Sequence, residues 1–225
     1  DYYVGLAAGV SDGARVHSRA ELWNLYLRAG WELTPEDTLA YLYQRTDNAV
    51  EDPGPTGAPP PRRDRFDTCT DTHILRWDRT GERLRGYVLL YFEDGAIRWN
   101  KDHLNDTPVS PPGHSNTDWR NYGFRSSFDA VFGRLTATAA LDVWSEGGET
   151  RNIPEATGVR VWGYSGRFAT LAPYAGLRYA QPLGEEWTVT PSLGARYYHS
   201  SEFDDAWAPC AALTAERGGL QLFVS

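Results

Sequence analysis

His199, Ser200, Ser201, Glu202 and Asp204 fall on one short stretch, putting hydroxyls, an imidazole and carboxylates close together in sequence. Nucleophilic catalysis needs such groups to meet in space, with the base oriented by a third group. Neighbours on a small loop rarely point at one another, and no G-x-S-x-G nucleophile turn occurs. The chain is therefore expected not to be an enzyme. Trp99, His103, His114 and Trp119 surround a second stretch, 93–118, where indole and imidazole groups can stack on or ligate a small substrate. Self-packing of the loop and solvated histidine explain the same residues more simply. Asp102, Asn105 and Asp106 in KDHLND supply oxygens of the kind calcium takes, but their spacing matches no EF-hand loop. Glu202, Asp204 and Asp205 read in the same way, as ordinary solvated acids. Neither a resident cofactor nor a bound metal is expected. Cys69 and Cys210 lie far apart without metal-type spacing, and two separate thiols are expected rather than a disulfide.

The 225 residues carry a net charge of −8, which argues against a nucleic-acid partner, since that would call for a basic face. Aromatics reach 13%, with nine Trp and thirteen Tyr, while hydrophobic residues overall stand at 41%. No apolar run approaches the length of a membrane helix. That leaves a barrel open, because a barrel strand shows only every second residue to lipid. The sequence contains no Met and starts at Asp1 without a signal peptide, so it is read as a mature or trimmed segment.

Period-two alternation, the mark of strands, runs through about eleven segments: 2–10, 22–32, 38–46, 73–79, 84–92, 119–128, 134–143, 168–180, 187–198, 207–216 and 220–225. Short turns alternate strictly with longer connections, the latter at 11–21, 47–72, 93–118, 144–167 and 199–206. All short turns then lie at one end of the sheet and all long connections at the other. Outer-membrane barrels sort their connections in this way, and a soluble sandwich has no reason to. The long stretches include EDPGPTGAPPPRRDR and DTPVSPPGHSNTD, whose proline and polar residues suit irregular surface loops. No domain boundary is visible, so residues 1–225 are read as one transmembrane barrel segment.

The two faces of the strands differ in kind. Leu135, Ala137, Ala139, Leu141 and Val143 oppose Arg134, Thr136, Thr138, Ala140 and Asp142. Trp187, Val189, Pro191, Leu193, Ala195 and Tyr197 oppose Thr188, Thr190, Ser192, Gly194, Arg196 and Tyr198. One face suits lipid; the other is too polar for a sandwich core and suits a wet lumen. On that sorting Arg28, Arg125, Arg134 and Arg196 line the lumen, where they face an anionic chelate or pair with the acids of a plug. Trp23 and Trp31, near the two ends of one strand, are expected at the two membrane interfaces. Core packing in a soluble β-protein is the alternative, and it leaves the polar faces and the sorted connections unexplained.

An odd count of strands is awkward, since bacterial single-chain barrels have even numbers. The last segment, LQLFVS, is also short for a spanning strand. The chain is therefore expected to be part of a larger cylinder.

The runs RAGWELTPEDTLAYLYQRTDNAVEDPG, RFDTCTDTHILRWDRTGERLRGYVLLYFEDGAIRW, TDWRNYGFRS and LTPSLGARYYHSSEFDDAWAPCAALTAERGGLQLFVS together resemble the β-barrel of a TonB-dependent outer-membrane receptor. The resemblance covers nearly the whole chain, and its motifs are diffuse. It implies an all-β, antiparallel up-and-down transmembrane barrel, of which these strands form about half of some twenty-two. It also implies uptake of a scarce nutrient such as an iron–siderophore, haem or cobalamin, driven by TonB through a plug that this sequence lacks. The partners implied are outer-membrane lipid, a small-molecule or metal-chelate ligand, TonB and the remaining half of the barrel. A smaller passive pore, or a barrel enzyme active at its rim, is the alternative.

Overall fold

The computed structural model describes residues 1–52, 64–101, 113–154, 157–159, 161–184 and 186–225. The strands are β1 (Tyr2–Ser11), β2 (Ala20–Glu32), β3 (Asp37–Glu51), β4 (Arg65–Thr80), β5 (Leu84–Lys101) and β6 (Gly113–Phe132). They continue as β7 (Leu135–Pro154), β8 (Val161–Tyr179), β9 (Gln181–Leu183), β10 (Trp187–Ser200), β11 (Ala206–Arg217) and β12 (Leu220–Val224). All belong to one antiparallel sheet in which each strand pairs with the next, apart from the short β9.

β9 does not disturb the count of eleven. Its pairs with β10, such as Gln181 with Val189, keep the register that pairs β8 with β10, such as Arg178 with Ser192. β8 and β9 are thus one strand interrupted at Ala180. The cause is Pro191, which stands at the interruption and has no N–H to complete the ladder. Pro173 opens a second gap higher up, between the pairs Arg196–Tyr174 and His199–Leu171.

Short turns occupy one end of the sheet, at 33–36, 81–83, 133–134 and 218–219. In the first, the Thr34 hydroxyl oxygen accepts from the amides of Glu36 and Asp37 and donates to the Asp37 carboxylate at 2.7 Å. In the last, Gly218 and Gly219 both hold positive φ, as a two-residue hairpin turn requires. The longer connections at the other end are shorter than the sequence suggests. β6 and β7 are 20 residues each, and the strands run deep into the stretches 47–72, 93–118 and 144–167 that read as loops.

Among the described residues each strand packs only against its neighbours in the sheet, and no second layer covers either face. The apolar rows are accordingly exposed: Trp23 is 40% exposed, Trp31 50% and Leu193 68%. Following the register across the sheet, one face carries a continuous apolar band. It runs from Trp23 to Trp31 on β2, Leu84 to Phe92 on β5, Tyr122 to Phe132 on β6, Leu135 to Val143 on β7 and Trp187 to Tyr197 on β10. Each run is about 9–11 residues, the span of a tilted transmembrane strand. Aromatic side chains mark its upper margin at Trp23, Tyr43, Phe92, Tyr122, Tyr197 and Trp207. The next outward positions turn charged or polar at once: Glu21, Arg45, Asp94, Arg120, His199 and Asp205. This is the girdle-and-band pattern of an outer-membrane barrel. Both tryptophans of β2 stand at its two margins, as the sequence predicts.

β1 pairs with β2 alone and β12 with β11 alone among the described residues, so the sheet is an open wall. Twenty residues at roughly 3.4 Å each give about 68 Å of strand. Tilted by about 40°, that carries the middle strands some 20 Å or more beyond an apolar band roughly 25 Å tall.

Candidate functional site: the inner wall

The inward rows follow from the same register, and they carry polar groups at three levels. Near the short-turn end the Asp129 carboxylate accepts from Arg178 at 2.7 Å, Arg85 at 3.4 Å and the Thr138 hydroxyl at 2.6 Å. At mid-height Arg196 is ion-paired to Asp142, two strands away, and its guanidinium lies 5.6 Å from the Tyr174 ring centre. Tyr174 spreads over Gly176 and Gly194, where an added Cβ would come within 2.4 Å of its hydroxyl oxygen. The Tyr174 hydroxyl stands 4.0 Å from Cys210 Sγ. Higher still, the Glu93 carboxylate accepts from the Trp119 indole N–H at 3.1 Å and the Asn121 amide at 3.2 Å. The Trp119 ring covers Gly95, which leaves no room there for a Cβ.

This wall has fixed polar groups and a few unanswered charges. Arg28 and Arg125 face inward, are exposed, and have no acidic partner among the described residues. Arg125 stands opposite Asp142 in the register, but Asp142 is taken by Arg196. Arg134 differs from expectation. It sits in the exposed β6–β7 turn, below the wall, because β7 begins only at Leu135. Arg196 lies on the same face of the sheet as Arg28 and Arg125.

The four residues around 93–118 do not assemble into one site. Trp99 and Trp119 share the inner face, but they are separated by four rungs of the β5–β6 ladder, roughly 14 Å. Trp99 packs edge-on against Phe66, with ring centres 6.3 Å apart. His114 falls on the opposite, outer face, its Nδ1 2.5 Å from the Asn100 side-chain oxygen. His103 lies outside the described residues, as do Asp102, Asn105 and Asp106. Glu93 and Asn121, which hold Trp119, have no signal in sequence: each is one polar residue in a strand, and only the register reveals that they converge.

On the β10–β11 loop two groups do meet. His199 Nδ1 lies 2.7 Å from one Asp205 oxygen, and the Tyr197 hydroxyl donates to the other at 2.5 Å. Those hydrogen bonds, the one from Tyr197 foremost, hold the Asp205 carboxyl below its ordinary range. The neighbouring serines are engaged with backbone: Ser201 Oγ accepts from the Ala169 amide and Ser200 Oγ from the Glu202 amide. No group of three or more His, Cys, Asp or Glu among the described residues is arranged to hold a metal. Cys69 and Cys210 are both free, on opposite faces of the sheet.

No protein-family model matches the sequence, and no curated protein matches it. Solved structures do. The copper transporter OprC aligns over 99% of this chain and 39% of its own, at a TM-score of 0.67 and 13% identity. The ferric citrate transporter FecA, in its unliganded form, aligns over 99% of this chain and 40% of its own, at 0.60 and 15%. BauA, the ferric preacinetobactin receptor of Acinetobacter baumannii, aligns over 95% and 40%, at 0.61 and 12%. The chain has the fold of a TonB-dependent receptor barrel. It spans about two fifths of the length of each of those structures. At 12–15% identity the correspondence is one of architecture: the receptor-type wall is shared, and the residues on it are this chain's own.

Proposed function

We propose that this chain forms part of the wall of an outer-membrane receptor that takes up a scarce nutrient, with transport energised by TonB in the full-length protein. The observation that carries the reading is the single-layer sheet with an apolar band of spanning height on one face and a charged, hydrogen-bonded wall on the other. Two inward arginines without acids, Arg28 and Arg125, favour an anionic cargo such as a carboxylate or siderophore chelate of a metal. Among the cargoes named for the similar structures, ferric citrate and ferric preacinetobactin are chelates of that kind, and copper, a cation, is not. On this reading Trp99 and Trp119, both on the inner face, meet such a ligand, and the chain itself performs no chemistry. The remaining strands and the plug come from outside this segment.

The test is uptake by whole cells that express the full-length protein as their sole receptor, with radiolabelled ferric citrate, ferric siderophores and copper offered in turn. Saturable uptake of one cargo that stops when the proton-motive force is collapsed is expected. Uptake of all cargoes in proportion to concentration, unaffected by uncoupler, marks a passive pore and overturns the reading.

A further inference from the structure

On the inner face of β5 and β6 two aromatic rings lie flat against the opposite strand, each where that strand has a glycine. Trp119 of β6 covers Gly95 of β5, and Tyr91 of β5 covers Gly123 of β6, where an added Cβ would come within 2.4 Å of the ring. A ring laid on a glycine turns its other face to the lumen. On the inward rung between the two rings stand Glu93 and Asn121.

That rung continues across the sheet. The β6–β7 ladder is interrupted between the pairs Trp119–Gly148 and Tyr122–Ser145, which brings Glu146 level with Asn121. Asn121 spans the interruption, its Oδ1 accepting from the Gly147 amide at 3.3 Å while its own amide donates to Glu93. Glu146 has Phe168 of β8 opposite it on the far side. One inward position above it is Gly148, whose nearest neighbours are the Asp118 carbonyl and the Trp119 Cα and Cβ. The wall is therefore recessed above Glu146, beside the Trp119 ring.

The charges on this rung are unanswered. Trp119 and Asn121 both donate to Oε1 of Glu93, and its Oε2 has no hydrogen bond among the described residues. Glu146 makes neither a hydrogen bond nor an ion pair among them. The two glutamates are two strands apart, about 10 Å between Cα atoms. No inward arginine of β5, β6, β7 or β8 is level with them among the described residues. The nearest without an acid is Arg125, two inward positions below Asn121 and about 14 Å along β6. Arg196 is answered by Asp142. Even with Arg125 counted, the patch keeps a negative charge.

We infer that Glu93 and Glu146 form a subsite for a protonated amine carried by the cargo, with the open face of Trp119 beside it. An ammonium there gains charge-assisted hydrogen bonds from the free carboxylate oxygens and the attraction of the ring face. The inference rests on the nutrient-receptor reading above and narrows its cargo to a dipolar chelate. The anionic part of that chelate lies toward Arg125, and its amine arm reaches the glutamates higher on the wall.

Two synthetic probes test this on the purified full-length receptor: a ferric tris-catecholate with a terminal primary amine on a short arm, and its N-acetylated counterpart. The anionic core is the same in both, and isothermal titration calorimetry gives each Kd. The native sequence should bind the amine probe at least about tenfold more tightly, 1.4 kcal/mol or more. Glu93→Gln/Glu146→Gln keeps an oxygen for Trp119 and Asn121 to donate to, so it should abolish the preference and leave the acetylated probe within about twofold. Arg125→Gln should weaken both probes alike and preserve the preference. Equal affinities in the native sequence, or an unaltered preference in the double variant, overturn the subsite while the receptor reading stands. Unchanged affinities in Arg125→Gln overturn the anionic-cargo reading while the amine preference supports the subsite. Binding of neither probe overturns both.

Discussion

Arg196 and Asp142 form an ion pair across the inner face of β8, and Ala172, which faces inward beside both, is completely buried. Asp142 is directly opposite Ala172 in the register, and Arg196 is opposite Tyr174, one inward position along. The pair thus joins β7 to β10 over a residue small enough to pass beneath. Removing one partner should cost more than removing both. Arg196→Gln, which leaves the shielded Asp142 carboxylate without its cation, is expected to destabilise by about 1–3 kcal/mol. In the double variant with Asp142→Asn the loss should be smaller. Urea unfolding of the four proteins in lipid vesicles, treated as a double-mutant cycle, gives the coupling. Additive losses would show that the pair contributes nothing as a pair. Ala172→Leu should cost about 1–3 kcal/mol by overpacking.

The Tyr174 ring depends on glycine in the same way. Gly176 and Gly194 flank it on adjoining strands, and a methyl at either would meet the hydroxyl oxygen at 2.4 Å. Gly194→Ala is expected to push the ring aside, disturb Arg196 stacked on it, and cost about 1–2 kcal/mol. Shortening the ring by Tyr174→Ala should then make Gly194→Ala nearly neutral. If the cost of Gly194→Ala persists in the Tyr174→Ala background, backbone strain and not the ring is its source.

The two faces should respond oppositely to charge. Leu193 is 68% exposed at mid-band on the outer face, while its neighbour Ser192 points to the inner one. Leu193→Arg is expected to cost about 2–4 kcal/mol in a bilayer, as for a cation at the hydrocarbon midplane. Ser192→Arg should cost under about 1 kcal/mol, because the guanidinium enters a wet space. Both are measured by folding into vesicles. Equal costs would mean that the outer face does not touch hydrocarbon.

The sequence reveals the parts of this wall that the bilayer constrains, and little else. The predicted segments 84–92 and 134–143 match the outward apolar runs Leu84–Phe92 and Leu135–Val143 almost residue for residue. Above them β5 continues to Lys101 and β7 to Pro154 with no alternation to read. The outward apolar row stops there, with Asp94, Ala96 and Arg98 following Phe92 on β5, and Arg98, Asp118 and Glu149 form outward ion pairs on strands that look like loop. That Arg28 and Arg196 share one face follows from strand parity alone. Arg134 falls in the turn and not on the strand, because parity says nothing about where a strand begins. The Glu93–Trp119–Asn121 cluster depends on the β5–β6 register, which no local pattern contains.

The hairpin tip between β10 and β11 should loosen in acid. Asp205 accepts from Tyr197 and stands 2.7 Å from His199 Nδ1, and these bonds keep its carboxyl ionised to lower pH than an ordinary aspartate. A carboxyl whose value is depressed on folding adds stability that is complete above the ordinary aspartate value, near pH 4. That contribution fades as pH falls through the depressed value. Amide exchange at 200–206, compared between pH 6 and pH 3 after correction for intrinsic rates, should therefore show lost protection at the lower pH. Asp205→Asn, which cannot titrate, should remove most of that difference, and Asp204→Asn, next to it without the same bonds, should keep it. An identical pH response in Asp205→Asn would assign the loosening to another group.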